Sequence, residues 1–159
     1  MAGMFAEQVL DLKNPSVGLL SIGEESIKGD EVVLEAHRLL AVTPGLNFYG
    51  NVEGRDIVGK VVDVVVTDGF TGNVCLKLME STSALIMNEI RQVATSSLPA
   101  KLGGMLLKGR LREFKSSIDT EEFGGAYLLG VRGLVVLCHG NSSRAAVARA
   151  QKSSCRPLH

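Results

Sequence analysis

Residues 63–73 read DVVVTDGFTGN and carry the clearest structural signal in the chain. The valine-rich stretch at 61–67 is the strongest strand signal in the chain. After the glycine-rich turn comes an apolar stripe at period 3.6, formed by Leu78, Leu85, Ile86, Ile90 and Val93. This stripe predicts a helix over about 74–94. A strand that leads directly into a long helix is the building unit of α/β folds.

The rest of the chain repeats this alternation of strands and helices. We predict further strands at 17–22, 46–49, 126–129 and 134–138, a polar turn at 50–56, helices at 4–12 and 31–41 with Asp30 as an N-cap, and a last helix that ends near 152. Alternating strands and helices indicate βαβ units and a largely parallel sheet, so the predicted fold class is α/β. Residues 1–152 are expected to form part of one α/β domain, and residues 153–159 an irregular tail.

Residues 96–117 are predicted to form a basic amphipathic helical insertion, in two pieces broken near Gly103-Gly104 and Gly109. Its basic side chains are Lys101, Lys108, Arg110, Arg112 and Lys115, and they interleave with apolar side chains that include Leu102 and Leu106. Such a segment can lie on an anionic membrane surface or dock an acidic partner. The alternative is a dimer-packing pair of helices with a solvated basic face.

The composition excludes several classes of protein. The 17 basic and 17 acidic residues give zero net charge, which argues against a nucleic-acid-binding protein. The three cysteines, Cys75, Cys138 and Cys155, form no C-x-x-C pair, so we expect neither a disulfide framework nor a zinc site. Residues 1–10 lack the pattern of a signal peptide, and no apolar run approaches the ~20 residues of a membrane span. We therefore expect a cytoplasmic protein.

Four polar, glycine-rich loops follow predicted strands, and ligands bind at such loops in open parallel sheets. In the first loop, Lys28 either neutralises a phosphate or a developing oxyanion, or is an ordinary solvated lysine. In the second, Asn51, Glu53 and Arg55 form either a substrate clamp or a structural turn held by an ion pair. The fourth loop opens with His139, which either contacts an anion or packs as a structural histidine.

The third loop is the turn at 68–73. Gly69, Thr71 and Gly72 precede a helix whose first N–H groups are unpaired and carry partial positive charge, a geometry that cradles an anion. Asn73 is predicted at the mouth of the helix, where its amide either donates to a carbonyl oxygen or merely caps the helix. The pattern matches neither a Walker A loop nor a GxGxxG fingerprint.

Several blocks of sequence carry a more specific resemblance. They are VGLLSIGEE at 17–25, KGDE at 28–31, NFYGNVEGRD at 47–56, DVVVTDGFTGN at 63–73, GGA at 124–126 and HG at 139–140. In this order they look like the signatures of the phosphate:acyl-acyl-carrier-protein acyltransferase family, in its C-terminal half. The resemblance covers residues 3–151, and the block at 63–73 is highly specific.

The resemblance implies a three-layer αβα fold, similar to isopropylmalate dehydrogenases and phosphotransacetylases, in a homodimer. It implies transfer of a fatty acyl group from acyl carrier protein to inorganic phosphate in phospholipid synthesis, with no organic cofactor and no metal. Because phosphate is itself the nucleophile, we assign Lys28 and Asn73 to polarise the reacting carbonyl. The residues assigned to substrate or phosphate binding are Asp68, Gly69, Thr71, Gly72, Asn51, Glu53, Arg55 and His139. The basic segment is assigned to the acidic carrier protein, or to peripheral contact with the inner face of the membrane.

Two other interpretations stay open. A phosphotransacetylase-like enzyme on the same kind of scaffold would use a coenzyme A thioester instead of acyl carrier protein. Alternatively, because the family's N-terminal half and longer C-terminal helix have no counterpart in this sequence, the chain is an inactive fragment that only dimerises or binds membrane. A metal-dependent hydroxyacid dehydrogenase is disfavoured, since the sequence offers no aspartate cluster for its cation.

Overall fold

The computed structural model describes residues 1–118, 125–137, 144 and 147–148. The chain divides into two compact units, residues 1–72 and a second unit that begins at Asn73. The first unit contains α1 (Ala2–Val9), β1 (Val17–Leu20), α2 (Glu31–Ala41), β2 (Phe48–Val52), α3 (Gly54–Gly59) and β3 (Val64–Val66). Helix α4 (Gly69–Thr95) begins in the first unit and continues in the second, which also contains α5 (Leu98–Ile118), β4 (Ala126–Tyr127) and β5 (Val136–Leu137).

The first unit is built on a parallel three-stranded sheet in the order β2–β1–β3. Leu20 of β1 lies opposite Val52 of β2, and Leu19 lies opposite Val66 of β3. Helix α2 packs against β1 and β2, and α1 packs against β3. The α/β class and the parallel sheet predicted from the sequence are confirmed.

The core of the first unit lies around the central strand β1. Val17, Leu19 and Leu20 are buried, and Val52 is completely buried at the end of β2. A Cβ atom at Gly18 would lie only 2.7 Å from a methyl carbon of Val52. Because any side chain would collide there, this position in the central strand requires glycine.

The second strand runs further than the sequence predicted. We expected a strand at 46–49 and a polar turn at 50–56, but β2 continues to Val52. Gly50 and Asn51 are residue types that strands usually avoid, which is why the local pattern misled. Burial of the Val52 side chain overrides that preference, and the rest of the predicted turn is mostly helix α3.

Ser16 and Asp63 tie β1 to β3 where the two strands begin. The Asp63 carboxylate accepts hydrogen bonds from the Ser16 hydroxyl at 2.7 Å and from the Ser16 N–H at 2.8 Å. The Ser16 hydroxyl oxygen in turn accepts a bond from the Asp63 N–H at 3.0 Å. These bonds, the one from the hydroxyl most of all, lower the pKa of Asp63. The ionised carboxylate therefore helps to fix the register of the two strands.

The basic segment in the second unit is one continuous helix, α5, so the predicted break near its glycines was wrong. Gly104 lies against Ala94 near the end of α4, and a Cβ atom at Gly104 would lie 3.1 Å from the Ala94 Cβ. Gly103 and Gly109 have open space around them. Gly104 thus allows close packing against Ala94 within a continuous helix, whereas the sequence pattern alone suggested that the glycines break the helix.

The strands predicted at 126–129 and 134–138 pair with each other in antiparallel fashion, with Ala126 opposite Leu137. They form a two-stranded antiparallel sheet distinct from the three-stranded parallel sheet of the first unit. The helix predicted after His139 and the tail at 153–159 fall mainly outside the described residues. Of the helices in the described part of the chain, none combines the length and the apolar character that crossing a membrane requires.

Candidate active site

The loops that follow β1, β2 and β3 leave the same end of the sheet, because all three strands run in the same direction. In open parallel sheets this carboxyl end is where ligands bind. The first loop spans residues 21–30, the second begins at Glu53, and the third begins at Thr67. All three belong to the first unit as far as Gly72.

Asn51 connects the end of β2 to the loop after β1. The Asn51 side chain is 3% exposed. Its Nδ2 donates to the carbonyl oxygen of Glu25 at 2.8 Å and approaches that of Lys28 at 3.5 Å. Its Oδ1 lies 2.9 Å from Nδ1 of His37 in α2. The amide is thus engaged on both sides within the protein, and Asn51 shapes the site by holding the first loop rather than by presenting its own amide to a ligand.

Arg55 forms a second tie between the same two loops. Its guanidinium contacts the carboxylates of Glu24 at 2.7 Å, Glu53 at 3.1 Å and Asp56 at 3.8 Å. The hydrogen bond to Glu24 and then the charge of Glu53 raise the pKa of Arg55. Of the two interpretations of this loop, a substrate clamp or a turn held by an ion pair, the geometry favours the second. Because both side chains of the Arg55–Glu24 pair are solvent-exposed, this pair contributes little to global stability.

Lys28 is presented differently from Arg55. Its carbonyl oxygen accepts a bond from the Ser21 hydroxyl at 2.9 Å, and its N–H donates to the carbonyl oxygen of Glu25 at 3.0 Å. Its side chain is exposed. Throughout the described residues, no carboxylate forms an ion pair with the Lys28 ammonium. A fixed backbone therefore carries a cation that remains available to an anionic ligand.

The third loop starts its helix earlier than predicted, because α4 begins at Gly69. One oxygen of the Asp68 carboxylate accepts bonds from the N–H groups of Phe70 and Thr71, each at 2.9 Å. Asp68 rather than Asn73 thus caps the helix, and Asn73 lies in its second turn. Hydrogen bonds from Thr71, its side chain first, lower the pKa of Asp68. Two N–H groups that were predicted to cradle an anion are therefore already paired with an ionised carboxylate.

The structure brings part of the predicted site together. The Asn51 amide approaches the Lys28 carbonyl oxygen, and Arg55 pairs with Glu53 and with Glu24 of the first loop. Asp68, Gly69, Thr71 and Gly72 follow β3 at the same end of the sheet, whereas Asn73 is the first residue of the second unit. His139 lies outside the described residues.

The side chains of the basic segment that were assigned to a partner surface are all exposed on α5. They are Lys101, Leu102, Leu106, Lys108, Arg110 and Arg112. Arg110 forms an ion pair with Glu113 at 3.0 Å, one turn further along the helix. At 100° per residue, Lys101, Lys108 and Arg112 share one side of α5, whereas Arg110 lies on the opposite side. The exposed basic side chains are thus spread around a single continuous helix.

His37 is a contributor that the sequence analysis missed. The half-buried residues of α2 are Val33, Ala36, His37 and Leu40. Their spacing follows the 3.6-residue period of a helix, so the same test that located other helices also places His37 on the inner face of α2. A histidine on an inner face needs a hydrogen-bond partner, and that requirement was the available signal.

Comparison with known proteins supports a family assignment. The profile of the family described as "Fatty acid synthesis protein" matches residues 1–156. Proteins named phosphate acyltransferase are similar to this chain: one from Streptococcus agalactiae serotype III is 45% identical over 148 residues, 92% of this chain and 45% of the relative. One from Bacillus licheniformis is 46% identical over 150 residues, 94% of this chain and 45% of the relative. One from Thermosynechococcus vestitus is 43% identical over 150 residues, 94% of this chain and 44% of the relative.

The chain thus spans somewhat less than half the length of these relatives. The family profile, however, covers nearly all of the chain, including every loop at the carboxyl end of the parallel sheet. On this evidence the chain belongs to the fatty acid synthesis protein family.

Proposed function

We propose that this chain takes part in making acyl phosphates, by transfer of a fatty acyl group from acyl carrier protein to inorganic phosphate in phospholipid synthesis. The name of its relatives and the family to which it belongs support an acyl transfer to phosphate. The observation that carries the proposal is the Lys28 ammonium, which has no carboxylate partner among the described residues and stands on a fixed backbone at the carboxyl end of the sheet. Such a cation suits both a phosphate anion and a developing oxyanion.

In the proposed reaction, an oxygen of phosphate attacks the carbonyl carbon of the thioester. The carbonyl oxygen becomes an oxyanion, the carbon–sulfur bond then breaks, and the carrier thiolate takes up a proton. Because phosphate supplies the nucleophile, the protein needs only to align the two substrates and stabilise the oxyanion. We assign that stabilisation to Lys28 and to the side-chain amide of Asn73. Removal of one such donor raises the barrier by about 3–4 kcal/mol.

The remaining site residues are given supporting roles. Asn51, Glu53 and Arg55 hold the loops that carry the reacting groups, which follows from their internal hydrogen bonds and ion pairs. Asp68 orients the start of α4. The residues assigned to the anionic oxygens are Gly69, Thr71, Gly72 and His139.

We assign the exposed basic side chains of α5 to the carrier protein, whose acidic surface complements them. Two other assignments compete for the same helix. In a cytoplasmic protein, it could contact the inner face of the membrane peripherally, or it could pack within a homodimer. Titration with carrier protein at graded salt, beside flotation with anionic liposomes, separates the first two. Replacing Arg110 and Arg112 with glutamine should weaken carrier binding; if neither interaction changes, the helix serves dimer packing.

The function itself is tested with the purified chain, acyl carrier protein charged with a fatty acyl group, and phosphate. Acyl phosphate is trapped with hydroxylamine as a hydroxamate, and a parallel reaction without phosphate corrects for direct attack on the thioester. The proposal expects hydroxamate that depends on phosphate and on acyl carrier protein. Equal or faster reaction with acyl coenzyme A would assign the chain to the phosphotransacetylase-like alternative. No phosphate-dependent product with either thioester would favour the inactive dimerising or membrane-binding fragment.

A further inference from the structure

His37 on α2 forms the outer member of a hydrogen-bonded chain that ends at the loop of Lys28. Its Nδ1 lies 2.9 Å from Oδ1 of Asn51, and its ring contacts the ring of Phe48 edge to face at a centroid separation of 5.1 Å. The His37 side chain is half-buried, and these two contacts are with residues that the proposed reaction does not use directly. Its contacts are therefore with the support of the site rather than with the reacting atoms.

The partners of Asn51 determine which nitrogen of His37 carries a proton. The carbonyl oxygens of Glu25 and Lys28 can only accept hydrogen bonds, so the amide nitrogen of Asn51 must face them. Oδ1 of Asn51 then faces His37, and this oxygen can only accept. Nδ1 of His37 must consequently be protonated and donate.

The carbonyl oxygens that Asn51 holds belong to the turn that presents Lys28. The carbonyl of Glu25 also accepts the bond from the Lys28 N–H at 3.0 Å, and the carbonyl of Lys28 accepts the bond from the Ser21 hydroxyl. The direction of the Asn51 amide thus determines whether its nitrogen can contact the carbonyl oxygens at both ends of the turn, Glu25 and Lys28. If the amide rotated, its oxygen would face two carbonyl oxygens, which repel it.

We propose that His37 is a positioning residue: by donating from Nδ1 it fixes the direction of the Asn51 amide, and through that amide it fixes the turn that carries Lys28. The proposal rests on the function proposed above for Lys28. A small displacement of a group that polarises the reacting carbonyl is costly, since a shift of about 1 Å can lower a rate about 100-fold. His37 therefore acts on the rate without touching substrate.

Two substitutions separate the hydrogen bond from the ring contact. His37→Asn keeps a donor nitrogen three bonds from Cα, as Nδ1 is, but removes the ring. His37→Phe keeps a ring against Phe48 but removes the donor. Arg38→Gln is the control, because Arg38 is the next residue of α2 and, among the described residues, its side chain pairs only with the exposed Glu35.

The first measurement is amide hydrogen exchange of the turn at residues 25–28 in the full chain. We expect exchange at Lys28 to be about fivefold to tenfold faster in His37→Phe, and nearly unchanged in His37→Asn and Arg38→Gln, because one hydrogen bond is lost only in the first. The second measurement is acyl phosphate formation, where kcat should fall about tenfold to 100-fold in His37→Phe with KM nearly constant. Asn51→Asp, which places an acceptor opposite the two carbonyls, should reproduce both effects.

The outcomes distinguish this proposal from the proposed function. If amide exchange at Lys28 were faster in His37→Asn than in His37→Phe, the Nδ1 donor would not have the proposed role. The His37 ring contact with Phe48 would then be what holds the turn. Unchanged exchange in His37→Phe and Asn51→Asp would overturn the positioning role even in an active enzyme. If the unmodified chain formed no acyl phosphate, the proposed function of this chain would be refuted, while the exchange data would still show whether His37 holds the turn.

Discussion

Asn51→Ala offers the sharpest test of how the site is held together. The substitution removes two well-formed hydrogen bonds, at 2.8 Å to the Glu25 carbonyl and at 2.9 Å to His37, and one weak contact at 3.5 Å. Two such bonds contribute about 2 kcal/mol, and partners left unsatisfied in a buried place add about 1 kcal/mol or more. We therefore expect the free energy of unfolding to fall by about 2–4 kcal/mol, a large part of the roughly 5–15 kcal/mol of a typical domain.

Asn47→Ala is the matched control for this experiment. The Asn47 amide donates one bond at 2.9 Å to the Asn14 carbonyl, but both residues are exposed and water can replace the bond. The expected loss is accordingly about 0.5–1 kcal/mol. Urea unfolding of both variants, followed by far-ultraviolet circular dichroism, gives the two free energies of unfolding. The dependence of the free energy on urea concentration should be the same for both variants. If Asn51→Ala proved no more destabilising than Asn47→Ala, burial of the Asn51 network would not be the stabilising feature we infer.

Two further predictions concern parts of the fold away from the loops. In α5, Gly103→Ala should raise the free energy of unfolding by up to about 1 kcal/mol, because the surroundings of Gly103 are open. Gly104→Ala should give no gain, because its new methyl group would lie 3.1 Å from the Ala94 Cβ. Equal effects of the two substitutions in thermal unfolding would contradict the close contact at Gly104. Asp63→Asn tests the lowered pKa of Asp63: its carboxylate stabilises the fold above the ordinary value of 3.8 and loses that effect as the pH falls through its own lower pKa. The difference in stability between wild type and Asp63→Asn should therefore be full at neutral pH and shrink in acid, and a difference independent of pH would refute it.

Much of the first unit could be predicted because its signals are local. The apolar run at the start of β1 and the Asp30 cap of α2 both appear where the sequence placed them. The end of β2 could not be read in this way, since Gly50 and Asn51 have poor strand propensity and only the pairing across the sheet reveals that they are strand residues. Strand length here is decided by tertiary packing, which a local pattern does not contain.

For the candidate site, the sequence predicted the location of the polar loops better than the contacts within them. Polar loops at the ends of parallel strands are a general rule, and it located Lys28, Asn51 and Arg55 at one end of the sheet. Which of them is paired depends on partners far away in sequence, such as Glu24 for Arg55. The cap of α4 also moved from Asn73 to Asp68, because glycines at 69 and 72 read as loop residues although both lie in the helix.

We propose that Lys28 is the cation of the site available to substrate and that Arg55 is a structural tie. The most direct measurement is the rate of acyl phosphate formation at saturating phosphate for Lys28→Gln beside Arg55→Gln. We expect Lys28→Gln to lose about 100-fold or more, as for removal of an oxyanion donor, and Arg55→Gln to stay within about tenfold of wild type. A Lys28→Gln enzyme as active as wild type, or an Arg55→Gln enzyme that loses as much activity as Lys28→Gln is expected to lose, would refute these two roles.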